Sequence, residues 1–342
     1  MFLSASLGIL PRNEDKFYSI IGNQLLLGLS GGFIALLFFS KFPYRIFRTY
    51  ALPIFIMGLV LTALVFVPGV GFEHGGARRW IELFGFSLQP SELLKFAFVL
   101  YVAALFSGIK NRAESLTAGL LPFLGALGLV AILMLKQPDT GTFLIMVSAG
   151  FAIYFVAGAP WRYLLGIIFA GVIGLSFLIL ERPYLKDRIL TFLDPTGDPY
   201  GASYQIQQSL IAIGSGEIFG RGLGQSIQKF NYLPEPAGDS IFAVIAEELG
   251  FVGSSALVML FLFFMLRGYR IANRTNDPFG RLLGVGLITL ITTQAFLNMG
   301  SLSGVFPLTG VPLTFVSHGG TALLVALAEV GIILSISRGA RR

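Results

Sequence analysis

About nine apolar runs, each near the ~20 residues an α-helix needs to cross a hydrocarbon layer about 30 Å thick, constrain this chain more than any other feature. They lie at roughly 20–40, 50–68, 90–108, 118–136, 140–158, 161–180, 240–266, 279–300 and 312–336. With 55% hydrophobic and 12% charged residues among 342, too few polar side chains exist to clothe a soluble globule. The runs lack the period-two alternation of an outer-membrane barrel, so the expected fold is all-α, a polytopic transmembrane helix bundle. No soluble domain remains between the runs. Residues 1–342 read as one membrane domain containing one long loop, about 181–239.

The absence of cysteine removes disulfides, thiolate catalysis and thiolate metal sites together, and two histidines, His74 and His318, are too few for a His-built metal centre. The net charge of +6 is spread between the runs instead of forming one stripe, which argues against nucleic acid. Membrane topology explains it better. Placing Lys41 to Arg48, Lys110 to Arg112, Arg162, Arg267 to Arg281 and the tail from Arg338 to Arg342 in the cytoplasm collects most short-loop positive charge there. The N-terminus is then expected outside, the C-terminus inside, and the long loop with nearly all acidic residues outside. Met1–Ser6 reads as the emerging end of a helix that begins before the first residue.

Ionised groups at membrane depth cost roughly 3 kcal/mol or more unless paired or hydrated, so the acids near the seventh run mark a site. Asp239 stands at its lip, either as a helix N-cap or as a proton acceptor, two compatible roles. Glu247 and Glu248 lie about two turns deeper on different faces, with at least one expected to meet a buried cation or polar neighbour, and Glu329 has similar status. Ahead of the third run, Arg78, Arg79 and Trp80 are either an interfacial anchor or a grip for phosphate. Gln89-Pro90-Ser91-Glu92 suits a helix start, with Glu92 and Lys95 sharing a face as a structural pair or as a ligand-facing one. Asp139 fits a tight turn that caps the next helix. Residues 203–213 suggest an amphipathic interfacial helix, and Phe306–Gly320 breaks the helical pattern at membrane depth, where irregular backbone must be buried or line a cavity.

Taken together, Gly76-Ala77-Arg78-Arg79-Trp80, Gln89-Pro90-Ser91-Glu92, Gln137-Pro138-Asp139-Thr140-Gly141-Thr142, Gly222-Leu223-Gly224-Gln225, Leu233-Pro234-Glu235 with Asp239, Ala246-Glu247-Glu248-Leu249-Gly250 and Leu308-Thr309-Gly310-Val311-Pro312-Leu313 closely resemble the SEDS family of bacterial shape, elongation, division and sporulation proteins. The match runs in order along essentially the whole chain, and Gly224–Phe230 looks more like the FtsW division branch than the RodA elongation branch. The resemblance implies a ten-span fold, here lacking the first span, in the bacterial cytoplasmic membrane. It also implies a peptidoglycan glycosyltransferase that polymerises lipid II at the outer face and releases undecaprenyl diphosphate. A class B penicillin-binding protein is the implied partner, alongside other divisome or elongasome membrane proteins.

By motif match Asp239 falls on the family's essential aspartate, Trp80 on its important tryptophan, and Glu92 and Lys95 on the polar pair of its cavity. Arg78, Arg79, Arg188, Lys229 and Ser317 complete the expected substrate contacts, with Gln89, Ser91, Asp139, Glu247 and Glu248 in support. A divalent cation, Mg or Mn, is an option that no residue proves. Two departures stand out: Ala237-Gly238 replaces the family's usual His-Thr, and Ser317-His318-Gly319-Gly320 replaces Ser-Tyr-Gly-Gly. The rival readings are a flippase or transporter of the lipid-linked precursor, and a non-catalytic cell-wall scaffold.

Overall fold

The computed structural model describes residues 1–8, 14–74, 77–83, 86–108, 111–198, 201 and 203–339. Gly75, Gly76, Lys110 and the tail after Gly339, which entered the motif and charge readings, lie outside the described residues. Among the described residues, eight helices are long and apolar enough to cross a membrane. The 17-residue Thr140–Val156 is shorter, but spans about 26 Å at 1.5 Å per residue and supplies the ninth expected run. The protein is therefore a multi-pass membrane protein.

The chain divides into two compact units. One comprises Asn23–Leu164, Phe263–Thr293 and Gly320–Arg342. Its first span runs from Asn23, the last residue of α2 (Glu14–Asn23), through a π-helical stretch, Gln24–Gly31, into α3 (Gly32–Lys41). Then come α4 (Ile46–Leu64), strands β1 (Gly71–His74), β2 (Ala77–Leu83) and β3 (Phe86–Leu88), α5 (Pro90–Ser107), α6 (Leu121–Lys136) and α7 (Thr140–Val156). Pro90 opens α5 at the helix start, where its missing N–H costs nothing, and Asp139 Oδ1 accepts from Thr142 N at 3.2 Å to cap α7. The core stacks Phe106 on Tyr154 (centroids 4.8 Å) and Phe55 on Tyr101 (4.9 Å). The unit closes with α14 (Gly320–Gly339), packed along α3.

The other unit comprises Met1–Gly22, Leu165–Leu262 and Gln294–Gly319. It holds α1 (Phe2–Ser6), most of α8 (Trp161–Glu181), α9 (Pro183–Leu193), α10 (Tyr204–Ser215), the short α11 (Gln228–Asn231), the first part of α12 (Ile241–Asn273) and the end of α13 (Pro278–Leu302). Its buried core gathers Ile241, Val244 and Ile245 of α12 with Ala212, Leu233, Ala295, Met299 and Leu313. The last helix, α14 (Gly320–Gly339), belongs to the first-described unit.

Three expectations need correction. The three antiparallel strands in order β1-β2-β3 had no counterpart in an all-helical reading, because strands this short beside glycines carry no usable alternation. The second span starts at Ile46, not near 50, because the turn at Phe42–Arg45 is tight, with Ile46 N bonded to Pro43 O at 3.2 Å. The last helix starts at Gly320, not 312: positive φ at Gly310 (67°) and Phe315 (68°) is incompatible with a helix, and Pro312 has no N–H to donate.

Candidate active site

Asp239, just ahead of α12, and Glu247 and Glu248 within it bracket the first turns of that helix. The helix is interrupted at Gly250 (φ 67°, ψ −165°), where a Cβ would fall 2.3 Å from Gly220 N, so glycine is required. The loop after α10 repairs the interruption strand-fashion. Phe251 N and Val252 N donate to Glu217 O and Ile218 O (2.9 and 3.1 Å), while Arg221 N and Gly222 N donate to Glu247 O and Glu248 O (both 3.0 Å).

Both glutamate side chains are fully buried there and fully used. Glu248 Oε1 pairs with Lys229 Nζ at 2.7 Å and accepts from Ser4 Oγ at 2.7 Å. Glu247 accepts from Ser226 Oγ and from the backbone N–H groups of Ile227 (3.0 Å) and Gln228 (3.3 Å), with Arg221 Nε at 3.6 Å. The expectation that at least one of these acids meets a buried cation therefore holds. Lys229, expected among substrate contacts, is 0% exposed, and its ammonium meets Glu248, Gly224 O and Ser4 Oγ. An ammonium has three donors, so none remains for a ligand in this arrangement.

Asp239 differs. The backbone around it is pinned at three successive carbonyls: Ala237 O takes His318 N (2.6 Å), Gly238 O takes Ser317 Oγ (2.6 Å), and Asp239 O takes Asn298 Nδ2 (2.7 Å). Ser317 Oγ also accepts from Leu313 N at 2.8 Å, and Asn298 Nδ2 donates to Val311 O at 2.8 Å, which ties the irregular segment after α13 to this turn. The carboxylate itself is held loosely. Gln205 Nε2 of α10 donates to Oδ2 at 3.4 Å and to Ser240 Oγ at 3.1 Å, whereas Oδ1 is buried with no hydrogen-bond partner among the described residues. Burial pushes the Asp239 carboxyl up to about 6; the Gln205 hydrogen bond opposes that rise, the charge of Glu235 adds to it, and Arg188 opposes it. Arg188 donates from Nη1 to Thr309 O at 3.1 Å. Asp239 does not cap α12, which begins at Ile241, because its carboxylate turns toward α10 instead.

The two departures from the family pattern fall where backbone atoms make the contacts. Ala237 and Gly238 contribute carbonyls and His318 contributes its N–H, so the pinning survives the changed side chains.

The remaining candidates lie in the other unit. Glu92 and Lys95 are buried and paired at 2.9 Å, so Lys95 does not snorkel; Glu329 of α14, also buried, lies within electrostatic range of both. Ser91 Oγ and Glu329 Oε1 are buried without hydrogen-bond partners among the described residues. Gln89 precedes α5. Arg79 donates from Nε to Gln137 O (3.0 Å) and from Nη2 to Pro138 O, tying β2 to the turn that Asp139 caps. Arg78 is exposed, and Trp80 is half-buried opposite Phe72 across the β1–β2 pair. No group of three or more His, Asp or Glu side chains among the described residues forms a metal-binding set.

Sequence reasoning missed Gln205 and Asn298. Gln205 was visible only as part of an amphipathic stretch, while Asn298, mid-helix in an apolar run, was an intramembrane amide that deserved the same suspicion as the acids.

Comparison with known proteins follows the whole length. The family model described as Cell cycle protein, covering FtsW, RodA and SpoVE, matches residues 1–342. Stage V sporulation protein E of Bacillus subtilis is 40% identical over 331 residues, 96% of this chain and 89% of that protein. A probable peptidoglycan glycosyltransferase FtsW of Geobacter metallireducens is 39% identical over 339 residues, 98% of this chain and 89% of that protein. Among solved structures, a chain of a peptidoglycan synthase complex that coordinates polymerisation and crosslinking superposes with TM-score 0.80 at 28% identity, covering 99% of this chain and 94% of that one. Thermus thermophilus rod shape determining protein RodA gives TM-score 0.69 at 27% identity, covering 100% and 94%.

Proposed function

This chain belongs to the SEDS family of FtsW, RodA and SpoVE proteins, and from that premise we propose that it is a peptidoglycan glycosyltransferase in which Asp239 is the proton acceptor. The substrate is lipid II, used both as donor and as acceptor. The oxygen of the acceptor's GlcNAc 4-hydroxyl attacks the anomeric carbon of the donor's MurNAc, the bond from that carbon to the diphosphate breaks, and undecaprenyl diphosphate leaves with the bonding electrons. The hydroxyl proton passes to Asp239 Oδ1, and configuration inverts.

One observation carries this reading: Asp239 sits on a backbone pinned at three carbonyls, yet its carboxylate keeps Oδ1 without a hydrogen-bond partner among the described residues. A base needs fixed position and spare acceptor capacity together. A carboxyl raised to about 6 is also a better proton acceptor than an ordinary aspartate, while remaining mostly ionised at neutral pH. Arg188, beside it, is assigned to the departing diphosphate, which a guanidinium can meet bidentately. The roles of Arg78, Arg79, Trp80, Glu92 and Lys95 toward substrate rest on the family resemblance alone.

The reaction takes place on the outer face of the cytoplasmic membrane, with the C-terminus inside. A class B penicillin-binding protein is the proposed partner, supported by the likeness to a chain of a peptidoglycan synthase complex. The test is labelled lipid II in proteoliposomes with that partner: Asp239→Asn should lower polymerisation by about 10²–10⁴-fold with little change in thermal unfolding. Wild-type polymer from a folded Asp239→Asn protein would remove the assignment, and translocation of lipid II without polymer would favour the transporter reading.

A further inference from the structure

We infer that the corner joining α3 to α4 is a binding site for one anionic phospholipid, its acyl chain in an apolar groove and its phosphate among Lys41, Arg45 and Arg48. The groove has a volume of about 350 Å³ and is lined by apolar side chains that include Phe42, Phe47, Tyr50, Ile54 and Met57. Tyr50 and Met57 are 56% and 55% exposed, so nothing in the unit covers this face.

The corner is short: α3 ends at Lys41 and α4 begins at Ile46, so its cations stand at headgroup depth whichever way the chain crosses the bilayer. Lys41, Arg45 and Arg48 are all exposed there. Asp277 approaches Arg45 Nε at 3.7 Å and offsets one charge, yet the Arg45 side chain remains 73% exposed; Arg48 reaches Ser107 O only at 3.5 Å. Positive charge is left over, beside an apolar slot running inward from it, and that pairing matches a phosphate ester attached to a hydrocarbon chain.

The test uses the full chain in detergent, with thermal unfolding followed as phosphatidylglycerol, phosphatidylcholine of the same chains, or soluble glycerol phosphate is added. Phosphatidylglycerol should raise the melting temperature saturably, and the other two should not. Lys41→Gln/Arg45→Gln/Arg48→Gln should weaken the apparent affinity by about tenfold or more. Ile54→Trp, which fills the groove without touching charge, should abolish the response while leaving the lipid-free melting temperature near wild type, and it decides the matter if the triple variant does not fold. Equal responses to the two lipids, a full response to glycerol phosphate, no response at all, or a preserved response in either variant would overturn the site.

Discussion

Two groups of carboxylates flank the first part of α12, and they are treated in opposite ways. At its inner end Glu247 and Glu248 have every oxygen engaged, by Ser226, backbone N–H groups, Ser4 and the buried Lys229. At its start, Asp239 has a backbone held as firmly as theirs but a side chain with one long hydrogen bond and one oxygen lacking a partner among the described residues. Saturated charges in a low-dielectric interior hold segments together, whereas an under-satisfied one on a fixed backbone is energetically ready to exchange a proton. The difference separates the acids that hold the fold from the one proposed as proton acceptor, without appeal to their depth.

The comparison breaks first at the saturated end. Lys229→Met leaves Glu248 buried without its cation, which should cost about 3–5 kcal/mol and appear as a large loss of melting temperature and folded yield. Lys229→Met/Glu248→Met should recover much of it. An unchanged melting temperature in the single variant would mean that the pair holds nothing. Arg79→Ala removes two donors from Gln137 O and Pro138 O and should destabilise by about 1.5–3 kcal/mol. If Arg79 only ties that turn to β2, turnover per folded molecule stays at the wild-type level; a large fall in turnover at saturating lipid II would instead return it to the substrate. At the reactive end, Gln205→Ala should lower turnover by about tenfold, through a misplaced carboxylate, with a smaller stability loss than either variant above. Equal activity of the folded variant would show that Gln205 does not position Asp239.

What the sequence displayed and what it hid follow from the range of the interactions. Apolar runs, Pro90 at a helix start, Asp139 as a cap, and the helix over Tyr204–Ser215 anticipated from an amphipathic stretch at 203–213 are all local features, decided within a few residues. The irregular backbone near 306–319 was legible because Pro and Gly punctuate it, although its end was misplaced by the apolar residues around Pro312. Lys229 was expected among the substrate contacts because nothing local shows its burial, and one of its partners, Ser4, lies 225 positions away. Gln205 and Asp239 are 34 positions apart, and no periodicity links them. Asp239 itself drew attention through its position at a membrane lip, but its spare oxygen is a property of packing that composition cannot express.

The proton-acceptor role of Asp239 is tested most directly by the pH dependence of kcat/KM for lipid II, which reports the free protein's titration, in the wild type and Glu235→Gln. Only ionised Asp239 accepts the proton, so wild-type kcat/KM should hold above the carboxyl's value of about 6 and fall roughly tenfold per pH unit below it. The negative charge of Glu235 helps to hold that value up, so its neutralisation lets Asp239 stay ionised in more acid solution, and the acid limb should move to lower pH. Gln205→Ala should move it the other way, since a hydrogen bond to the carboxylate is lost. A wild-type profile that is flat through the acid range, or a limb that ignores both substitutions, would contradict the account.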